Sequence, residues 1–190
     1  MDKKTALVLL APGFEDIEAC IPIDYLRRAG VDVTTVSVGI KGKEVTGANE
    51  ITILADKTLD QVSTILFDVI ITPGGLPGAT NLAENSTVVD LIKKHYNEGR
   101  FIASICASPG VVLAEACDIV SGKKICGYPG FEEEITSHNG IISTENVCVD
   151  GKLITARGPG LAIDFAIAIV EQLCGKSKAQ KLYDTTLVSK

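Results

Sequence analysis

The chain has 190 residues, 46% of them hydrophobic, enough for one substantial core and a single domain over residues 1–190. Its 18 basic and 24 acidic residues leave a net charge of -6. Nucleic acid and anionic membrane both require a cationic surface, so small molecules or proteins are the expected partners. The six cysteines (Cys20, Cys106, Cys117, Cys126, Cys148, Cys174) form no C-x-x-C pair, which argues against a zinc knuckle or dithiol motif and fits a reducing, cytoplasmic compartment.

In chain order, Ala6–Leu10 is the first apolar run. It is too short to span a bilayer and leads at once into Pro12, Gly13, Glu15 and Asp16, so neither a membrane anchor nor a secretory signal is expected. Further short, β-rich runs follow at Val31–Val38, Val69–Thr72 and Phe101–Ile105, as expected of parallel strands covered on both faces. Helical patterns lie between and after them: Asp16–Ala29 stopping at Gly30, Ser86–Glu98 stopping at Gly99, and Ala107–Ala116. This alternation predicts an α/β, doubly wound, mainly parallel sheet with helices on both faces. Lys43–Leu54 and Ile141–Ala156 read as antiparallel additions at the sheet's edges, the second carrying an Asp150-Gly151 hairpin turn. A final helix over Leu161–Leu173, apolar on nearly every face, is expected to lie deep against the sheet.

Loops leaving the carboxyl ends of parallel strands share one edge, where such folds place ligands. Three meet there: residues 11–18 with Glu15, Asp16 and Glu18, residues 73–75 with Gly74 and Gly75, and residues 106–110 beginning at Cys106. Cys106 stands where a strand turns into a helix, and Ala107, Ser108 and Gly110 permit the sharp turn of a nucleophile elbow. The N–H groups of that helix start favour a thiolate and an oxyanion beside it, Ala107 being a better donor than Pro109. Gly74 and Gly75 complete the donor set, although an ordinary turn explains Pro73-Gly74-Gly75 equally well.

Glu15 and Asp16 suit a helix start by opposing its dipole. Glu18 stands apart, because Pro22 cannot donate to its carbonyl and because a carboxyl facing a dry pocket has a raised pKa, suited to acid/base work near neutrality. Only two histidines are present. His95 reads as a solvated residue at the margin of an amphipathic helix and His138 as part of a turn, so neither a metal site nor a Cys-His pair is expected.

Taken together, Gly13 with Glu15–Glu18, Ile21-Pro22-Ile23-Asp24, Arg27-Arg28-Ala29-Gly30, Pro73-Gly74-Gly75, Ile105-Cys106-Ala107 and Arg157-Gly158-Pro159-Gly160 resemble the ThiJ/PfpI superfamily over essentially the whole chain, in its DJ-one-like deglycase branch. The resemblance implies a flavodoxin-like fold and no cofactor. It also implies a homodimer through the first helix, with Asp24 and Arg28 at the interface. In the implied pocket Cys106 is the nucleophile or oxidation-sensing thiol, Glu18 its protonated partner, Gly75 and Ala107 the oxyanion donors, and Glu15, Tyr128, Gly158 and Pro159 the lining. Implied activities are glyoxalase action on methylglyoxal and deglycation of its adducts, with oxidative-stress protection; redox sensing by Cys106 and a stress chaperone are the alternatives. Two departures carry weight. Tyr128 precedes Pro129 where a pocket histidine stands in the branch, and its phenol is no base near neutral pH. Ala107 follows the cysteine where the superfamily's peptidases carry histidine, which disfavours proteolysis.

Overall fold

The computed structural model describes residues 3–188. Strand β1 (Thr5–Leu10) forms where the first apolar run predicts it, and Ala6 to Leu10 are fully buried. Alternate residues point to opposite faces: Ala6, Val8 and Leu10 enter one core layer, Leu7 and Leu9 the other. Helix α1 (Asp16–Arg28) follows, then β2 (Asp32–Ser37), a hairpin of β3 (Glu44–Thr46) and β4 (Thr52–Leu54), and the short β5 (Lys57–Thr58). Next come β6 (Val69–Thr72), α2 (Gly78–Ala83), α3 (Ser86–Asn97) and β7 (Phe101–Ile105). After a π-helical segment, Pro109–Ala116, lie β8 (Lys124–Ile125), α4 (Glu132–Ser137), β9 (Ile141–Ile142), β10 (Val147–Asp150) and β11 (Leu153–Ala156), then α5 (Ala162–Cys174) and α6 (Lys176–Thr185).

The central sheet has seven strands in the order β10-β11-β7-β6-β1-β2-β5, every pairing parallel except β10 with β11. This is the expected flavodoxin-like α/β architecture. Because β6 lies between β1 and β7, the loops after these three strands are immediate neighbours, and the site depends on that order.

The expected small antiparallel additions are present, β10 with β11 at the sheet's edge and residues 43–54 as a separate pair, β3 with β4, folded over the loop after β1, with Gly13 N–H donating to Thr46 O at 2.9 Å and Ala48 N–H to Phe14 O at 2.7 Å. The segment after Cys106 is π-helical, and the last long helix runs one residue further than expected, to Cys174, with α6 packed beside it. Phe165, Ala166, Ile169 and Val170 are fully buried, their helix held among the sheet, α1 and α6. His95 is wholly buried instead of solvated: its Nε2 accepts from Phe67 N–H at 3.0 Å and its Nδ1 faces Leu91 O at 2.8 Å. Those partners require a neutral ring with the proton on Nδ1, and burial lowers its pKa.

Candidate active site

Cys106 follows β7 directly and is the sole residue of its turn with a left-handed backbone, φ 65°. For a side chain larger than glycine's this conformation costs about 1–2 kcal/mol, and it is the strained turn expected of an exposed nucleophile. The turn is held by Cys106 N–H donating to Ala156 O at 3.0 Å, Tyr128 N–H donating to Cys106 O at 2.8 Å, and Ser108 Oγ donating to Pro73 O at 2.6 Å. Ser108 contributes unanticipated support, since in the sequence it reads only as a small residue. Cys106 retains 9% of its accessible surface.

Glu18 is fully buried on the first turn of α1 and lies against the thiol. Its Oε2 accepts Gly74 N–H at 2.8 Å, while Oε1 is buried with no protein partner. Gly74 is thereby removed from the expected oxyanion donors, because its single N–H serves the carboxyl. The N–H groups of Gly75 and Ala107 point at the Cys106 sulfur. Only glycine fits at position 74: a Cβ there would lie 2.6 Å from Cys106 Cβ and 2.8 Å from Glu18 Oε2. Gly75, at φ 82°, would set a Cβ 2.5 Å from Glu15 N.

Burial pushes the Glu18 carboxyl up to about 7 against the pull of the Gly74 N–H, and the charge of Glu15 adds to the rise. Burial also pushes the Cys106 thiol up to about 12, the Glu18 carboxylate adding to the effect while the Gly75 and Ala107 N–H groups oppose it. The thiol's shift runs in the direction opposite to the one that a helix start alone favours. Desolvation and a neighbouring carboxylate outweigh two backbone dipoles. A carboxyl raised to about 7 is about half protonated at neutral pH, where an ordinary one is ionised, and it lies beside two N–H donors aimed at the sulfur.

Among the remaining expected site residues, Glu15 caps α1, its Oε2 accepting Glu18 N–H at 3.0 Å, and donates its own N–H to Gly74 O at 2.9 Å. It thereby ties Glu18 to the glycine loop. Asp16 does more than oppose the dipole: it is buried, and its carboxylate takes Asn49 N–H at 2.7 Å and Ile51 N–H at 3.1 Å, fastening the β3–β4 turn over the site. A lone Asp at a helix start gives no sign in sequence of that long-range role. Tyr128 is half-exposed with its ring against Gly158, and Pro159 opens the turn before α5. His138 pairs with Asp118 at 2.9 Å on the surface, and Asp24 with Arg28 at 2.6 Å on the exposed side of α1. No group of metal-ligating side chains occurs among the described residues.

With this geometry in place, comparison with known proteins decides the kinship. The family model described as DJ-1/PfpI family matches residues 4–172. The chain belongs to the DJ-1/PfpI family. It is 40% identical over 186 residues to Protein dj-1beta of Drosophila melanogaster, covering 98% of both chains. It is 35% identical over 189 residues to the glutathione-independent glyoxalase DJR-1.2 of Caenorhabditis elegans, covering 99% of this chain and 98% of that one. The crystal structure of Drosophila melanogaster DJ-1beta superposes with a TM-score of 0.93, at 40% identity and with complete coverage of both chains.

Proposed function

We propose that the protein is a cofactor-free, cysteine-dependent glyoxalase and deglycase acting on methylglyoxal or its adducts. The observation that carries this reading is the buried Glu18 carboxyl, with a pKa of about 7, set against a strained cysteine turn toward which two N–H groups converge. A carboxyl poised near neutrality both gives and takes a proton, as an isomerisation requires. The family relative named as a glutathione-independent glyoxalase supports the same chemistry.

In the proposed reaction the Cys106 sulfur bonds to the aldehyde carbon of methylglyoxal as the thiol proton leaves to Glu18. Gly75 and Ala107 N–H groups hold the resulting oxyanion. Glu18 returns a proton to that oxygen, then relays the aldehyde-carbon proton to the neighbouring carbon through an enediol, giving a thioester of lactate. Water cleaves the thioester, and the net change is methylglyoxal plus water to lactic acid with the thiol restored. A homodimer through α1 and a cytoplasmic location belong to the same reading. Lactate formation by the purified protein tests it: the wild type is expected to turn over, and an equal rate from Cys106→Ser overturns it.

A second reading, oxidation sensing, is favoured by the partnerless Oε1 of Glu18 and by the N–H groups at the sulfur, which suit a sulfinate. Peroxide treatment followed by peptide mass spectrometry separates the two. Two oxygens added at Cys106 alone, with negligible dicarbonyl turnover, favours sensing; oxidation scattered over the six cysteines counts against it.

A further inference from the structure

A cavity of about 120 Å³ adjoins the Cys106 turn, lined by Gly127, Tyr128, Glu132, Ser143, Thr144 and Arg157 together with Ile135 and Ile142. It shares a wall with the thiol's own loop: Tyr128 N–H donates to Cys106 O at 2.8 Å, and a Cβ on Gly127 would lie 3.3 Å from that same oxygen. Arg157, half-buried on its wall, makes no ion pair and no side-chain hydrogen bond among the described residues. A guanidinium on a cavity wall, open to solvent and without an anion of the chain to pair with, can take one from solution, and its planar fork matches a carboxylate in two-point contact. The hydroxyls of Tyr128 and Thr144, on exposed residues of the same lining, make no hydrogen bond with the described residues and can supply further donors. The one anion in the wall, Glu132, turns an oxygen to Gly130 N–H at 2.7 Å. Its charge still opposes a ligand bearing two negative charges, so the lining selects for a monoanion.

We propose that this cavity is a subsite for a small monocarboxylate, in which Arg157 takes the carboxylate and the hydroxyls of Tyr128 and Thr144 bond its 2-hydroxy or 2-oxo group. The proposal rests on the glyoxalase reading in one respect: that reaction converts an uncharged dicarbonyl into a 2-hydroxy acid, so a free cation in a cavity that adjoins the Cys106 turn acquires a counter-charge when product forms. Arg157 is then a product-binding residue, and lactate a product inhibitor. The cavity's volume suits a ligand of a few heavy atoms.

Calorimetric titration of lactate and of inorganic phosphate into the wild type and Arg157→Gln tests this without requiring turnover. Lactate is expected to bind the wild type more tightly than phosphate, and the substitution to raise its Kd by about tenfold or more, the usual loss for a charge-assisted pair. Arg157→Lys keeps the charge without the fork and is expected to fall between. Unchanged melting temperatures for both variants are expected, since Arg157 has no partner to lose. Lactate binding that is absent, or indifferent to Arg157, overturns the subsite, and tighter binding of phosphate overturns its monocarboxylate character. Arg157-dependent lactate binding by a wild type that fails to consume methylglyoxal would retain the subsite and sink the glyoxalase reading instead.

Discussion

Two buried ionisable residues, Glu18 and His95, give this protein opposite responses to pH. Glu18 has a folded pKa of about 7 against an ordinary 4.5, so the native state binds its proton more tightly than the unfolded chain does. That contribution is complete below pH 4.5 and is lost as pH rises through about 7, amounting to about 3 kcal/mol. Glu18→Gln, which keeps an acceptor for Gly74 N–H, is therefore expected to stabilise the fold at pH 8 by an amount of that order and to have little effect at pH 4.5; urea unfolding at the two pH values checks it. His95 works the other way. Its pKa is lowered from 6.5, so its contribution is present above 6.5 and lost as pH falls below it. Removing the ring in His95→Leu leaves a buried Phe67 N–H without an acceptor and is expected to cost about 1–3 kcal/mol at pH 7, by the same measurement. The special standing of Cys106 and Glu18 was legible in the sequence from a strand-to-helix turn and from proline at position 22. The burial of His95 was not, because helical periodicity places a residue at a stripe's margin without saying which neighbour covers it. The elevated thiol pKa was hidden for a similar reason: it arises from desolvation and from a carboxylate 88 positions away in sequence, which no local pattern records.

At the scale of elements, the site is assembled by loops that the parallel order sets side by side and that a few backbone contacts then lock. The four buried strands and the edge they share follow from apolar runs punctuated by glycine and proline, so this part of the fold could be read directly. The position of the β3–β4 hairpin could not, since short alternating strands look alike at a sheet edge or over a loop. What places the hairpin is Asp16, through its bonds to Asn49 and Ile51. Asp16→Ala is expected to abolish amide-exchange protection at those two positions while protection in β1 persists, and to lower stability by about 2 kcal/mol. The glycine loop after β6 is equally constrained. Gly74→Ala forces a methyl group against Cys106 and Glu18, with an expected loss of about 1–3 kcal/mol in unfolding free energy by denaturant titration and slower alkylation of Cys106.

For the whole molecule, the mainly parallel sheet and the convergence of three loops agree with what patterning predicts, the family agrees with what the motifs' resemblance implies, and two features extend beyond the isolated chain. Ile17, Ile51 and Leu54 remain exposed on α1 and the hairpin, an apolar surface consistent with the proposed homodimer. Light scattering is expected to give about twice the 20.0 kDa chain mass, with Ile17→Glu shifting the protein toward monomer. The other feature is the proposed unity of Cys106 and Glu18, which is tested most directly by methylglyoxal consumption in the wild type, Cys106→Ser, Glu18→Ala and the double variant. Residues acting as one unit lose activity together. Each single variant is expected to fall by about a hundredfold or more, and the double variant to fall no further. A Cys106→Ser protein that consumes methylglyoxal at the wild-type rate would contradict the account.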